Sequence, residues 1–343
     1  MKKILALSMA LMLTASLAAC GSKDTTEDTT KDTTTDTTTD TTKDTTTDST
    51  ATTTDSDIKV GVILKTLSSE YWGYVAAGVK QAATDLGVTV DLQGPSSETA
   101  YDEQNNMIET MLSDSDLDAL VISPLQPDSV VSVLGDTTTP ILFVDTDAPY
   151  DKKVTYIGTG NKEAAYLGGE YAAKKAGEGA KAVIIGGVQG NTTSDAREAG
   201  FKEALEANGV TIEATQYGEG LADKSSSIME NLLTSLNNDI DIVVCHNDET
   251  AAGAARAVQQ AGLTDVLIVG FDGIQAGVQN VIDGNFAATV AQSPYNMGYM
   301  AVEKAVAVAK GETVEATIDT GATVVTSENA QAYLDELKSV LNQ

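Results

Sequence analysis

Carboxylates, amides and aromatic rings recur in this sequence just after short apolar runs. Ser69, Glu70, Tyr71 and Trp72 follow the run 59–64, and Asp145, Thr146 and Asp147 follow 141–144. Cys245, His246, Asn247 and Asp248 follow 240–244, Gly270, Phe271 and Asp272 follow 266–269, and Gln292 follows 287–291. Carboxylates and amides hydrogen-bond several hydroxyls at once, while aromatic faces cover the apolar C–H side of a ring. The set therefore suits a neutral, polyhydroxylated ligand. A phosphate calls for glycine-rich strand-to-helix turns and cations, and no such nucleotide-binding loop occurs in the chain. His246 is the only histidine and lacks a paired nucleophile or orienting group, so it reads as structural, and no enzyme activity is expected. Two cysteines and one histidine exclude a disulfide framework or a Cys/His zinc site, so neither metal nor cofactor is expected. Cys245 reads as a small hydrophobe ending a buried strand.

The elements that must position these groups alternate along the chain. The runs 59–64, 88–92, 119–123, 141–144, 181–185, 240–244 and 266–269 are nearly continuous in Val, Ile and Leu, as in strands covered on both faces of a parallel sheet. Between them, Val75, Val79, Ala82 and Leu86 share one helical face, as do Ile228, Leu232 and Leu236, and later Leu334, Leu337 and Leu341. Repeated strand–helix units predict an α/β fold of doubly wound parallel sheets. The length beyond residue 57 exceeds one such sheet, so two lobes are expected. Ligands of open parallel sheets bind beyond the carboxyl ends of the strands, where the residues above are found.

Charge and the N-terminus narrow the setting. The chain carries 21 basic and 50 acidic residues, a net charge of −29. Residues 58–343 alone hold 16 basic and 40 acidic residues without a basic patch, which excludes nucleic acid as a partner. Lys2 and Lys3 precede an apolar run, 4–19, shorter than the ~20 residues that span a bilayer. Residues 1–20 thus describe an export signal. Leu17-Ala18-Ala19-Cys20 resembles the bacterial lipoprotein box, which implies lipidation of Cys20 and membrane attachment through more than one acyl chain. Residues 21–57, almost all Thr and Asp, have nothing to bury and read as a disordered tether. As a flexible coil the tether would span roughly 30–36 Å.

From about residue 58 to 325 the chain resembles the bacterial periplasmic sugar-binding proteins of the ribose-binding type, the solute receptors of ABC importers. The resemblance rests on the stretches 66–72 (TLSSEYW), 197–201 (REAGF), 246–249 (HNDE), 269–273 (VGFDG) and 288–292 (ATVAQ). It implies two lobes joined by a three-segment hinge near Thr159-Gly160, Gln292-Ser293 and Gly321-Ala322. The N-terminal lobe would comprise 58–159 and 293–321, and the C-terminal lobe 160–292 and 322–343. It further implies ligand contacts from Ser69, Tyr71, Trp72, Asp145, Arg197, Asn247, Asp272 and Gln292. Trp72 is expected at the strand-to-helix turn, as pocket wall rather than core. Asp248 is the expected cap of the helix after 240–244. Thr146 stands where ribose binders carry an arginine, Gly220 replaces an aromatic and Ser69 an asparagine. These departures point to another sugar or polyol, with Asp147 available as a second carboxylate. The expected protein is a monomeric lipoprotein that closes on its ligand and delivers it to an ABC permease and its ATPase. The alternative is a lipoprotein that presents the bound sugar to a signalling receptor.

Overall fold

A computed structural model describes residues 57–341, which fall within one compact unit. The export signal, the lipid site Cys20 and all but the last residue of the tether lie outside the described residues. The chain begins β1 (Lys59–Ile63), α1 (Glu70–Leu86), β2 (Thr89–Gln93), α2 (Tyr101–Leu112), β3 (Ala119–Ile122), α3 (Pro127–Leu134), β4 (Ile141–Val144), β5 (Thr155–Gly158). It continues α4 (Asn161–Ala176), β6 (Lys181–Gly186), α5 (Thr192–Ala207), β7 (Thr211–Tyr217), α6 (Ala222–Ser235), β8 (Ile242–Cys245), α7 (Asp248–Gln260), β9 (Leu267–Asp272), α8 (Gln275–Ile282), β10 (Ala288–Ala291). It ends α9 (Pro294–Ala309), β11 (Thr317–Asp319), β12 (Thr323–Thr326), α10 (Ala330–Leu341).

Two six-stranded sheets result, ordered β11-β5-β4-β3-β1-β2 and β12-β10-β9-β8-β6-β7. Every pairing is parallel except that of β10 with β12, so one antiparallel edge strand departs from the expected all-parallel pattern. The chain passes between the sheets three times: after β5, after β10 and after β11. In each sheet the strand order reverses beside the first strand, between β1 and β3 and between β6 and β8. That reversal parts the connecting loops and opens a crevice at the carboxyl ends.

Alternate residues of the central strands enter different cores. Val60 and Val62 of β1 pack on the α1 side of the first sheet, while Ile63 packs with Leu120, Ile122 and Phe143 on the other. The second sheet is likewise covered on both faces. Helices α1 and α9 approach so closely that a Cβ at Gly78 would overlap the carbonyl oxygen of Tyr295, and one at Gly298 that of Val75. The expected stripe Val75, Val79, Ala82 and Leu86 does face the first core. Helix α10, expected wholly with the second lobe, divides its side chains: Leu334 enters the second core, while Leu337 and Leu341 pack against the first. No described helix is long and apolar enough to cross a membrane.

Candidate ligand-binding site

The two sets of carboxyl-end loops face each other across a cleft of about 450 Å³, its open mouth included. From the first lobe come Lys65 and Ser69 in the β1–α1 loop, Tyr71 and Trp72 in the first turn of α1, Glu98 before α2, and Asp145 after β4. The second lobe supplies Thr193 and Arg197 from α5, His246, Asn247 and Glu249 at the start of α7, and Asp272 and Ile274 after β9. Seven of the eight residues implied by the resemblance thus border one cavity. Gln292 stands one step back, outside the wall. Its amide donates to Asp272 Oδ1 at 2.7 Å and its carbonyl accepts from the Thr159 hydroxyl at 2.7 Å, which joins the cleft to two of the interlobe crossings.

Local sequence explains the placements. Ser69 caps α1 by accepting the Trp72 N–H, so the two aromatics are fixed at the cleft end of the helix. Tyr71 and Trp72 meet edge to face, with centroids 5.1 Å apart. The Tyr71 hydroxyl donates to Asp145 Oδ2 at 2.7 Å, and Trp72 Nε1–H donates to Glu98 at 2.7 Å. Trp72 lies inside α1 and is only 3% exposed, belonging at once to the core and to the cleft; the expectation of a turn residue outside the core is corrected accordingly. Asp145 sits at φ 64°, a left-handed conformation that Asp tolerates better than most residues, and caps no helix. Its Oδ1 accepts from Thr146, 2.8 Å away, and lies 3.7 Å from Lys65 Nζ. Asp147 borders no part of the cleft; it pairs with Lys153 at 2.6 Å and so supplies no second carboxylate to the ligand groups.

On the facing lobe, Arg197 is buried rather than paired at the surface. Its Nε donates to Asn161 at 2.8 Å and its Nη1 to the His246 carbonyl at 2.9 Å, with Asp272 at 3.4 Å. The guanidinium lies over the Phe271 ring, 3.8 Å from its centroid. Burial holds the Asp272 carboxyl well above the usual range, an effect that Arg197 opposes and that Asp248 and Asp145 reinforce. Burial, with Arg197 and Lys65 close by, pushes the His246 imidazole well below its usual value, so the ring is neutral at physiological pH. Its buried Nδ1 has no hydrogen-bond partner among the described residues. Cys245 is buried and free, its thiol pushed up by burial.

Asn247, not Asp248, caps α7, accepting the Thr250 N–H at 2.8 Å. Asp248 turns inward instead, where it takes the Thr289 hydroxyl at 2.6 Å and the Ile274 N–H at 3.0 Å. Burial lifts its carboxyl to about 7. Gly270 and Gly277 make room for it, since a Cβ at either would overlap the carboxylate. Lys65, Glu98 and His246 also border an adjoining chamber, with Leu125, Val188, Asn191, Glu219 and the bare backbone of Gly220 as its other walls. The lobes are shut on each other: Gln275 N–H donates to Glu70 at 2.9 Å, Thr192 to the Asp147 carbonyl at 2.9 Å, and Asn191 to the Leu125 carbonyl at 3.1 Å. Among the described residues, no group of His, Cys, Asp and Glu could hold a metal ion.

Two doubly wound lobes, three crossings and a polar cleft fed by both define a two-lobed cleft protein. The periplasmic binding protein domain matches residues 60–313, and the chain belongs to that family. It is 34% identical over 265 residues to the ribose import binding protein RbsB of Escherichia coli, a match covering 75% of this chain and 86% of that protein. Among solved structures it is similar to a carbohydrate transporter solute binding protein from Agrobacterium radiobacter in complex with D-arabinose. That match has a TM-score of 0.76 and 29% identity, over 83% of this chain and 98% of the other. An ABC transporter solute binding protein from Bacillus halodurans with bound myo-inositol also matches, at TM-score 0.76 and 25% identity over 82% of this chain and 98% of that one.

Proposed function

We propose that the protein is an extracytoplasmic, lipid-anchored receptor that closes on a sugar or polyol and delivers it to an ABC importer. The observation that carries this reading is the pair of facing half-sites. Tyr71, Trp72 and Asp145 from one lobe and Arg197, Asn247 and Asp272 from the other border a single cavity. Each half presents hydrogen-bonding groups that suit hydroxyls, and only the closed form brings both to one ligand, so the ligand favours closure. Binding rather than turnover fits a site in which the lone imidazole is neutral and its Nδ1 makes no hydrogen bond among the described residues. In this reading residues 58–159 with 293–321 form one jaw and 160–292 with most of 322–343 the other, while Cys20 and the 21–57 tether hold the body near the membrane. The closed shape is what the permease recognises.

The experiment is a titration of the purified protein with a panel of pentoses, hexoses and cyclic polyols, followed by Trp72 emission. Trp72 is the only tryptophan and borders the cleft. At least one member should change the emission and raise the melting temperature. A folded protein silent to every member refutes the receptor reading, and retention of membrane association by Cys20→Ala refutes the anchor.

A further inference from the structure

We infer that the β9–α8 loop of the second lobe latches onto α1 of the first, with Glu70 and Tyr74 as positioning residues that hold the cleft shut whichever ligand lies in it. This rests on the receptor reading and adds what holds its closed form. Helix α8 starts without a cap of its own: its N-cap residue is Ile274, whose side chain makes no capping bond, and its first turn holds no acidic residue. The first N–H groups of a helix need partners from outside it. Here the partners come from the other lobe. Gln275 N–H donates to Glu70 Oε1 at 2.9 Å and to the Tyr74 hydroxyl oxygen at 3.2 Å. The Tyr74 hydroxyl in turn donates to Glu70. An anion at a helix start gains from the helix dipole as well as from the charge-assisted bond.

The neighbouring residue points the same way. Ile274 is 3% exposed and belongs to the core of the first lobe, together with Tyr71, Tyr74 and Val75, although it sits in the loop between β9 and α8 of the second. Parting the lobes therefore draws an apolar side chain out of a core and returns the first N–H of α8 and the Glu70 carboxylate to water. Two other bonds across the cleft, from Thr192 to the Asp147 carbonyl and from Asn191 to the Leu125 carbonyl, join neutral groups. Shutting also carries the Glu70 charge toward Asp248 and Glu249, whose carboxyls burial raises first and Glu70 raises further; the positive end of α8 offsets that repulsion. Neither Glu70 nor Tyr74 borders the ligand cavity. The latch is built from the protein's own groups, so it acts with the cleft empty or filled. Apparent affinity is the intrinsic affinity reduced by the fraction of binding-competent form. Weakening the latch thus lowers the affinity for every ligand by one common factor.

The test uses the purified protein and its Tyr74→Phe and Glu70→Ala variants, each checked for folding by its melting curve. Small-angle X-ray scattering of the ligand-free proteins reads how far the lobes part. Isothermal titration calorimetry reads the affinity for D-ribose, D-galactose, D-allose and myo-inositol. Both variants should scatter as more open molecules than wild type. Every sugar that binds wild type should bind a given variant about threefold or more weakly, by the same factor for each sugar. Tyr74→Phe keeps the ring in the core and removes only the hydroxyl, so it decides the outcome if Glu70→Ala fails to fold. Unchanged scattering, or unchanged affinity for a sugar that binds, overturns the latch and leaves the receptor reading intact. Affinity that falls for one sugar and not for another also overturns it, because Glu70 and Tyr74 then act on the ligand and not on closure. If no sugar binds, the receptor reading falls, and the scattering comparison alone upholds or overturns the latch.

Discussion

Asp248 makes the stability of this protein depend on pH in the direction opposite to that of a salt-bridged carboxylate. It is 2% exposed, held by the Thr289 hydroxyl and the Ile274 N–H, and its carboxyl is lifted to about 7 by burial. In the unfolded chain an Asp titrates near ~3.9. Between those values the folded protein keeps a proton that the unfolded chain has released, so the native state binds more protons and stability falls as pH rises. The stabilisation is fully present below the unfolded value and lost once pH has passed about 7. At ~1.4 kcal/mol per pH unit, the loss across the window is about 4 kcal/mol. Asp248→Asn mimics the protonated acid: its amide oxygen accepts from Ile274 and its NH₂ donates to Thr289. Thermal unfolding of wild type and variant at pH 4.5 and 7.5 isolates the effect, because repulsion among the other acidic groups is common to both. The wild-type midpoint should fall relative to the variant by roughly 7–14 °C over that range. Parallel curves, or a wild type that gains on the variant as pH rises, would refute the argument.

The other expectations concern binding and packing. Arg197→Met leaves Asp272 buried without its cation and should weaken sugar binding by about 2–5 kcal/mol, read by calorimetry, with some loss of melting temperature. Gly78→Val drives a side chain into the Tyr295 carbonyl and should cost about 1–3 kcal/mol or more in urea unfolding, with no group of the cleft touched. Gln292→Leu releases both Asp272 and Thr159, so ligand affinity should fall although the residue lies outside the cavity wall; unchanged affinity would show that the two bonds are dispensable.

The central strands other than β5, whose Thr155–Gly158 holds only two large apolar residues, were legible because burial on both faces leaves an uninterrupted apolar run; β4 was read to the residue, Ile141–Val144. Strands β7, β11 and β12 were not. They lie at sheet edges, where Thr211–Tyr217 alternates between half-buried and exposed positions and Thr317–Asp319 buries one residue, so no apolar run announces them. Within the site, strand-end position pointed to Ser69, Tyr71, Trp72, Asp145, Asn247 and Asp272, and the resemblance alone to Arg197; all seven border the cleft. Lys65 follows β1 directly and the same rule could have found it. Glu98 could not be found that way: it sits in a polar loop well past the end of β2, yet it borders the cleft and accepts from Trp72 there. The two adjacent acceptors Asn247 and Asp248 were interchangeable as caps on local grounds. Thr289 and Ile274, both far off in sequence, draw Asp248 inward and leave the cap to Asn247. The wall accordingly carries Lys65, Glu98 and Glu249 beyond the carboxylates, amides and aromatics read from strand ends.

Because Leu334 is rooted in one half of the molecule while Leu337 and Leu341 grip the other, the last described helix works as a stay between them. Parting the jaws must either swing this rod about its Leu334 end or peel its far end away from apolar neighbours. The first route sets a geometric stop on how wide the mouth gapes, and the second adds a restoring force that grows with the gape. Either way, a segment that borders no part of the ligand cavity limits how far the two halves part.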